Sequence, residues 1–301
     1  MGREYAIHDR ETPVVCQALG EYYQPGTPED NIPKTQVGQL LSLADRLDTL
    51  AAFFHVGMVP SGSEDPFALR RQAFGLVRIL VEATLHVNLI DLLRQAEQLL
   101  EKQGVPSVVS SETERVRAGI EPLPTLVEFL ADRLRFFGRT LHGVREDVID
   151  AVLKGRVIGE FSVTDLFSRM LALQAITHEK DFDPLMVGFK RAHRLVEKEQ
   201  WTSNTVNIDL LTHQSEKDLL ARLVDARGAV GAAIGDKDYS LALKTLIGLK
   251  SAIDVFFDGV LVNAPEAEIR ANRLSLLRKV DELFLGIGDL SKIQVQGQQN
   301  T

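Results

Sequence analysis

The chain has 301 residues, 45% hydrophobic and 25% charged, with a net charge of −8 and one cysteine, Cys16. No apolar run approaches the ~20 residues of a membrane span, the polar opening does not read as a secretory signal, and one cysteine excludes an internal disulfide or a multi-cysteine zinc site; a reducing cytoplasm follows as the expectation. The acidic balance excludes a general nucleic-acid coat, so any RNA contact must come from local basic faces.

In chain order, residues 12–23 suggest a short helix, with Val14, Val15, Ala18, Leu19 and Tyr22 on one face and Cys16 as a small core residue. Residues 24–36, rich in proline and glycine, are a loop. From Leu40, the residues Leu43, Ala44, Leu47, Leu50, Ala51 and Phe54 continue a stripe at helical spacing. Gly57, Pro60 and Gly62 then break it, and Asp65 with Pro66 opens a second helix, giving a helical hairpin. On that second helix Arg71, Gly75, Arg78 and Glu82 form a polar line; Arg78 and Glu82 are spaced to pair, and Gly75 admits another backbone. A helix over 89–103 stops at Gly104, and 105–121 is a polar connection. Helices follow at 124–140, 145–154, 162–177 and 184–200, before a break at 201–207. The last region reads as three long helices, from Glu216 to Ile234, from an Asp238 cap to Val260, and from Glu266 onward, with Asn263-Ala264-Pro265 as the break before the last. Gly228, Gly231 and Gly235 read as sites of close helix packing, and no strand or repeat is apparent. The expectation is an all-α, multi-domain protein with boundaries near 105 and 206.

Several stretches carry a family resemblance. A-D-R-L-D-T-L at 44–50 and G-x-x-P-x-G-S-x-D-P-F-A-L-R-R at 57–71 resemble the β subunit of bacterial glycyl-tRNA synthetase. Gly2-Arg3-Glu4-Tyr5-Ala6, His8-Asp9 and Tyr22/Tyr23-x-Pro25 resemble the family's preceding segment. Ile253-Asp254-x-Phe256-Phe257-Asp258 and Arg270-x-Asn272-Arg273-Leu274 resemble its closing helices. The resemblance implies an HD-like helical domain over 1–105, lacking its first helices, a linker or body region over 106–206, and a DALR-like anticodon-binding bundle over 207–301. It implies a hetero-oligomer with the α subunit, which supplies the ATP- and magnesium-dependent chemistry; with glycine tRNA and the remaining N-terminal part of β, that subunit completes the partners. No cofactor and no catalytic residue is expected on this chain. A chain starting inside the HD-like domain is further expected to expose an apolar patch within 1–105.

The residues leave three classes open. His8 and Asp9, with Asp45 or Asp48, hint at a metal-dependent phosphohydrolase, but no histidine precedes the pair, and His55 and His86 lie beside apolar runs. Asp45 and Asp48 otherwise read as a solvated face. There is no G-x-x-x-x-G-K-[ST] and no G-x-G-x-x-G. For RNA, Lys190, Arg191 and Arg194 recur on one helix with Lys198, diluted by Glu197 and Glu199. Arg270, Asn272 and Arg273 open the last helix, where Arg273 either meets RNA or fixes helix packing. Lys250 stands where the resemblance predicts an arginine and lacks the planar fork. Arg71 and Arg78 complete the RNA candidates. A purely structural role, docking the α subunit or the rest of β, is the third class.

Overall fold

Helical periodicity governs the chain. In this computed structural model, which describes residues 1–107, 122–154 and 162–295, every regular element is helical apart from one isolated bridge between Ser61 and Glu64. The elements are α1 (Gly2–His8), α2 (Pro13–Glu21), α3 (Gln36–His55), α4 (Leu69–Glu82), α5 (Leu89–Lys102), α6 (Pro122–His142), α7 (Glu146–Leu153), α8 (Val163–Ile176), α9 (Phe182–Lys198), α10 (Gln214–Gly235), α11 (Tyr239–Ile247), α12 (Lys250–Gly259) and α13 (Ala267–Leu285). Among the described residues no helix is long and apolar enough to cross a membrane. The polar connection at 105–121 lies largely outside the described residues.

The chain forms two compact units, Met1–Gly143 with Arg156–Phe167, and Val144–Gly155 with Ser168–Thr301. The residues read above as a middle region are shared between them.

In the first unit the α3–α4 hairpin packs against α2, α5 and α6 around Leu50, Phe54, Leu76, Ile79 and Leu80. The D-P-F-A-L-R-R string forms the entry to α4. The Asp65 carboxylate accepts from the backbone N–H groups of Leu69, at 2.7 Å, and Arg70, at 3.0 Å, so it caps the helix as expected. The helix nevertheless starts at Leu69 rather than Pro66, because Ala68 takes a left-handed turn with φ of 54°. Cys16 is buried.

Three expectations for this unit are corrected. The α3 stripe is rotated: Leu40 and Ala44 face solvent, while Ser42 and Arg46 turn inward. The expected polar line of α4 is buried at Gly75 and Arg78. What approaches Gly75 is a side chain, not a backbone: a Cβ there would meet the Arg46 guanidinium carbon at 2.6 Å. Arg46 fills that notch and donates to Ser42 Oγ, Gln72 Oε1 and the carbonyls of Tyr23 and Pro25. A buried guanidinium satisfied by four neutral acceptors locks the 23–25 turn onto the hairpin. The helix α1 was also missed, since seven residues give too little periodicity.

In the second unit α9, α10, α12 and α13 surround stacked rings of Phe189 and Phe284, 4.5 Å apart, with Phe256, Leu277 and Val280 fully buried beside them. The predicted Asp238 cap accepts from Leu241 N–H at 2.9 Å. The long helix expected from there divides at Gly248 into α11 and α12, although its stripe of Ala242, Leu246, Leu249, Ile253, Phe256 and Val260 stays buried. Gly228, Gly231 and Gly235 do not mediate close packing: a Cβ at each would meet open space.

Candidate functional site

The opening turns of α13 draw attention first, because they carry the Arg270-x-Asn272-Arg273 pattern. All three side chains are engaged within the unit. Asn272 is buried and clamps the backbone of one residue, accepting from Asn207 N–H at 2.7 Å and donating to Asn207 C=O at 2.9 Å. Arg273 donates from Nε to the buried Glu216 carboxylate at 2.5 Å, and from Nη1 to the Leu261 carbonyl at 2.8 Å. Glu216 itself caps α10 by accepting from His213 N–H at 2.7 Å. Of the two roles open for Arg273, this geometry is that of helix packing. Arg270 pairs with Glu199 at 2.5 Å, with its Nε buried and unpartnered. Lys250, at the start of α12, pairs with Asp254 at 3.1 Å.

On α9 the arrangement is the opposite. Lys190, Arg191 and Arg194 line a groove of about 450 Å³ whose far wall is Val260, Leu261, Val262 and Asn263. Among the described residues no carboxylate lines it. The acids that dilute the sequence point elsewhere: Glu199 meets Arg270, and Glu197 lies 3.9 Å from His193. Arg191 rests over the buried Phe257 ring, 4.2 Å from its centroid, which fixes the guanidinium without neutralising it. Arg194 is exposed and, among the described residues, makes no hydrogen bond or ion pair. Lys190 is half-buried and donates to the Ile293 carbonyl at 2.5 Å; burial first, then Arg194, pulls its pKa below the usual lysine value, against the pull of Asp147. The groove thus holds concentrated, incompletely compensated positive charge beside the exposed apolar side chains of Val187 and Leu261. Such a surface suits an anion that also carries a flat or apolar part.

Sequence reasoning found the α9 cations but not their wall. Asn263 was read only as part of a break between helices. That its segment folds back beside α9 depends on Arg273 holding the Leu261 carbonyl, a contact no local pattern reveals.

In the first unit Arg78 is buried, bonded to Glu82 at 2.6 Å as the spacing predicts, and to the carbonyls of Thr27 and Pro28. Arg71 is exposed. His8 and Asp9 lie 3.3 Å apart, both strongly exposed, and Asp45 and Asp48 are exposed on α3. Among the described residues no three His, Cys, Asp or Glu side chains are grouped to hold a metal ion. His55 is buried, its Nε2 3.2 Å from the Val105 carbonyl.

Comparison with known proteins gives two family matches. Residues 1–154 match the family described as glycyl-tRNA synthetase beta subunit, and residues 185–295 match the DALR anticodon binding domain, a span that contains the whole groove. The chain is 35% identical over 302 residues to the glycine–tRNA ligase beta subunit of Desulforamulus reducens, covering 98% of this chain and 40% of that protein. The corresponding proteins of Syntrophomonas wolfei and Persephonella marina are 34% and 30% identical over 97% of this chain, and 40% and 41% of theirs. The chain therefore spans about two fifths of the length of the curated relatives it matches. With both stretches matched and the likeness running through nearly its whole length, the chain belongs to the glycyl-tRNA synthetase β-subunit family, with a DALR anticodon-binding domain at its C-terminal side.

Proposed function

We propose that this chain is a tRNA-gripping part of a glycine–tRNA ligase, holding glycine tRNA so that an α subunit aminoacylates it. The observation that carries this reading is the α9 groove, where Lys190, Arg191 and Arg194 meet no carboxylate in a protein of net charge −8. Arg194 and Arg191 are placed for phosphates or exposed bases, and Leu261 with Val187 offers apolar surface to an unstacked base. Lys250, Arg270, Asn272 and Arg273 then act as framework: they secure the helices and the 261 segment on which the groove depends. The chain contributes binding and orientation, while ATP, magnesium and the bond-forming step belong to the α subunit. A gel shift with glycine tRNA set against an unrelated tRNA tests this. Preferential binding of glycine tRNA that weakens with salt is expected; equal or absent binding across salt concentrations overturns it.

A second reading has its own support. The first three helices and the turn after α2 expose large apolar side chains, among them Tyr5, Val14, Tyr23, Val37 and Leu40, which suits docking against the α subunit or other parts of β. Co-purification with the α subunit, lost on replacing Tyr5 and Leu40 by serine, is the expected outcome. Unchanged co-purification removes this reading and leaves the groove untouched.

A further inference from the structure

A second cavity, in the first unit, has no part in the reading above. It measures about 390 Å³ and is walled by Pro25–Pro28, by Arg70, Arg71 and Phe74, and by Arg133 and Phe136 of α6. Three guanidiniums thus reach one cavity from two helices, two of them from residues 1–105, which carry 9 basic against 14 acidic side chains. Among the described residues no carboxylate lines it, although Asp132 and Asp65 act on Arg133 from nearby. Arg70 donates only to neutral acceptors, the carbonyls of Glu64 at 3.3 Å and Gly62 at 2.8 Å. Arg71 makes no hydrogen bond or ion pair among the described residues. Arg133 Nε is buried without a partner, and its guanidinium lies over the Phe129 ring at 5.5 Å. A buried N–H left unpaired is costly, so this donor is set for an acceptor not supplied by the fold.

The opposite wall is already spoken for. Asp30 accepts from Gly26 N–H at 2.8 Å and Thr27 N–H at 3.0 Å. The carbonyl of Pro25 takes Arg46, and those of Thr27 and Pro28 take Arg78. Two buried arginines therefore pre-form the wall, whose own polar groups neither neutralise the cavity arginines nor compete for a ligand. Phe136 is partly open, packed edge-on to Phe74 with centroids 5.6 Å apart, and supplies the apolar margin.

We propose that this cavity binds a phosphate group borne by a nucleotide, with the Arg71 and Arg133 guanidiniums on the phosphate oxygens and the base against Phe136. Guanidinium forks match phosphate geometry and stay charged at any physiological pH. The ring beside them favours a nucleotide over a bare ion. The site shares no residue with the α9 groove, so the two stand or fall separately. The same phosphate chemistry is offered by an RNA strand or by a free mononucleotide.

The test is a titration of the full chain, followed through arginine Nε–H resonances, with inorganic phosphate, AMP and the phosphorylated dinucleotide pApA. A saturable shift of the Arg133 Nε–H signal is expected, with AMP binding tighter than phosphate. Arg71→Ala and Arg133→Lys should each weaken binding about fivefold or more, Phe136→Ala should remove the advantage of AMP, and Arg222→Ala, an exposed arginine lining neither cavity, should change nothing. Tighter binding of pApA than AMP assigns an RNA strand, and the reverse assigns a free nucleotide; either upholds the site. No saturable shift with any probe, or titrations unaltered by Arg71→Ala, overturns it. Arg71 is exposed, so its variant stays folded even if Arg133→Lys disturbs α6.

Discussion

Two stretches of the second unit carry clustered cations, α13 at its start and α9 in its middle, and they use them in opposite ways. Arg270 and Arg273 face carboxylates and Asn272 clamps a backbone, so α13 spends its polar groups on the fold. Arg191 and Arg194 face a groove without acids, so α9 leaves its charge for something else. The α13 residues are those the family resemblance singles out; the α9 residues had only spacing to recommend them. A residue's place in a recognisable string thus says that its role matters, while burial and partners decide whether that role is structural or binding.

The largest expected effect lies on the α13 side. Arg273→Ala leaves the fully buried Glu216 carboxylate without its counter-charge, which should cost about 3–5 kcal/mol in denaturant unfolding. RNA affinity of the folded variant should fall less than that of Arg191→Ala/Arg194→Ala, because only the 261 wall is loosened while the α9 cations stay in place; a larger loss of affinity than the α9 double variant, without loss of stability, would invert the comparison. The first unit offers a parallel case of a committed arginine. Gly75→Ala pushes a methyl into Arg46, whose four hydrogen bonds prevent it from yielding, and should destabilise by about 1–3 kcal/mol. An unchanged melting temperature would mean that the notch is not filled as described.

Much of this was legible beforehand, and the reasons are physical. Long helices with a single apolar stripe, such as α9 and α13, announce themselves because burial follows the 3.6-residue period. The Asp65 and Asp238 caps were legible because short carboxylates before a helix have one common use. Arg46 was not legible, since a buried guanidinium looks like a solvated one until the surrounding carbonyls are known. Gly75 and Gly228 both read as sites of close approach, yet only Gly75 has a near neighbour, the Arg46 side chain, because a helical glycine's purpose lies in what stands opposite it. The groove was half legible: α9 supplied its cations in sequence order, whereas the 260–263 wall is brought there by a bond from Arg273.

A smaller effect should separate the helices by pH. His193, on α9, has its pKa raised chiefly by its hydrogen bond to Asp281 of α13, at 2.7 Å, with burial opposing. Asp281 also accepts from Arg278, and Glu197 and Asp289 add negative potential around the ring. A raised folded-state pKa means the protonated ring stabilises the fold fully below the unfolded value of about 6.5, and that this contribution fades as pH rises through the folded value. Unfolding free energy should therefore fall as pH rises from about 6.5 through the folded value, and His193→Gln should flatten that slope; an unaltered slope would remove the pair from the account. The smallest change is favourable. Gly228→Ala adds a methyl in open space within α10 and should stabilise by about 0.5–1 kcal/mol, read as a higher melting temperature, without altering RNA binding.

The central claim is that the α9 groove, and not the start of α13, holds RNA. The most direct measurement is the salt dependence of glycine-tRNA affinity for the wild type, Arg191→Ala/Arg194→Ala and Arg270→Ala. The double variant should lose roughly tenfold in affinity and its slope of log affinity against log salt should become shallower by about 1.4, while Arg270→Ala keeps the wild-type slope. A shallower slope for Arg270→Ala with an unchanged slope for the double variant would contradict the claim.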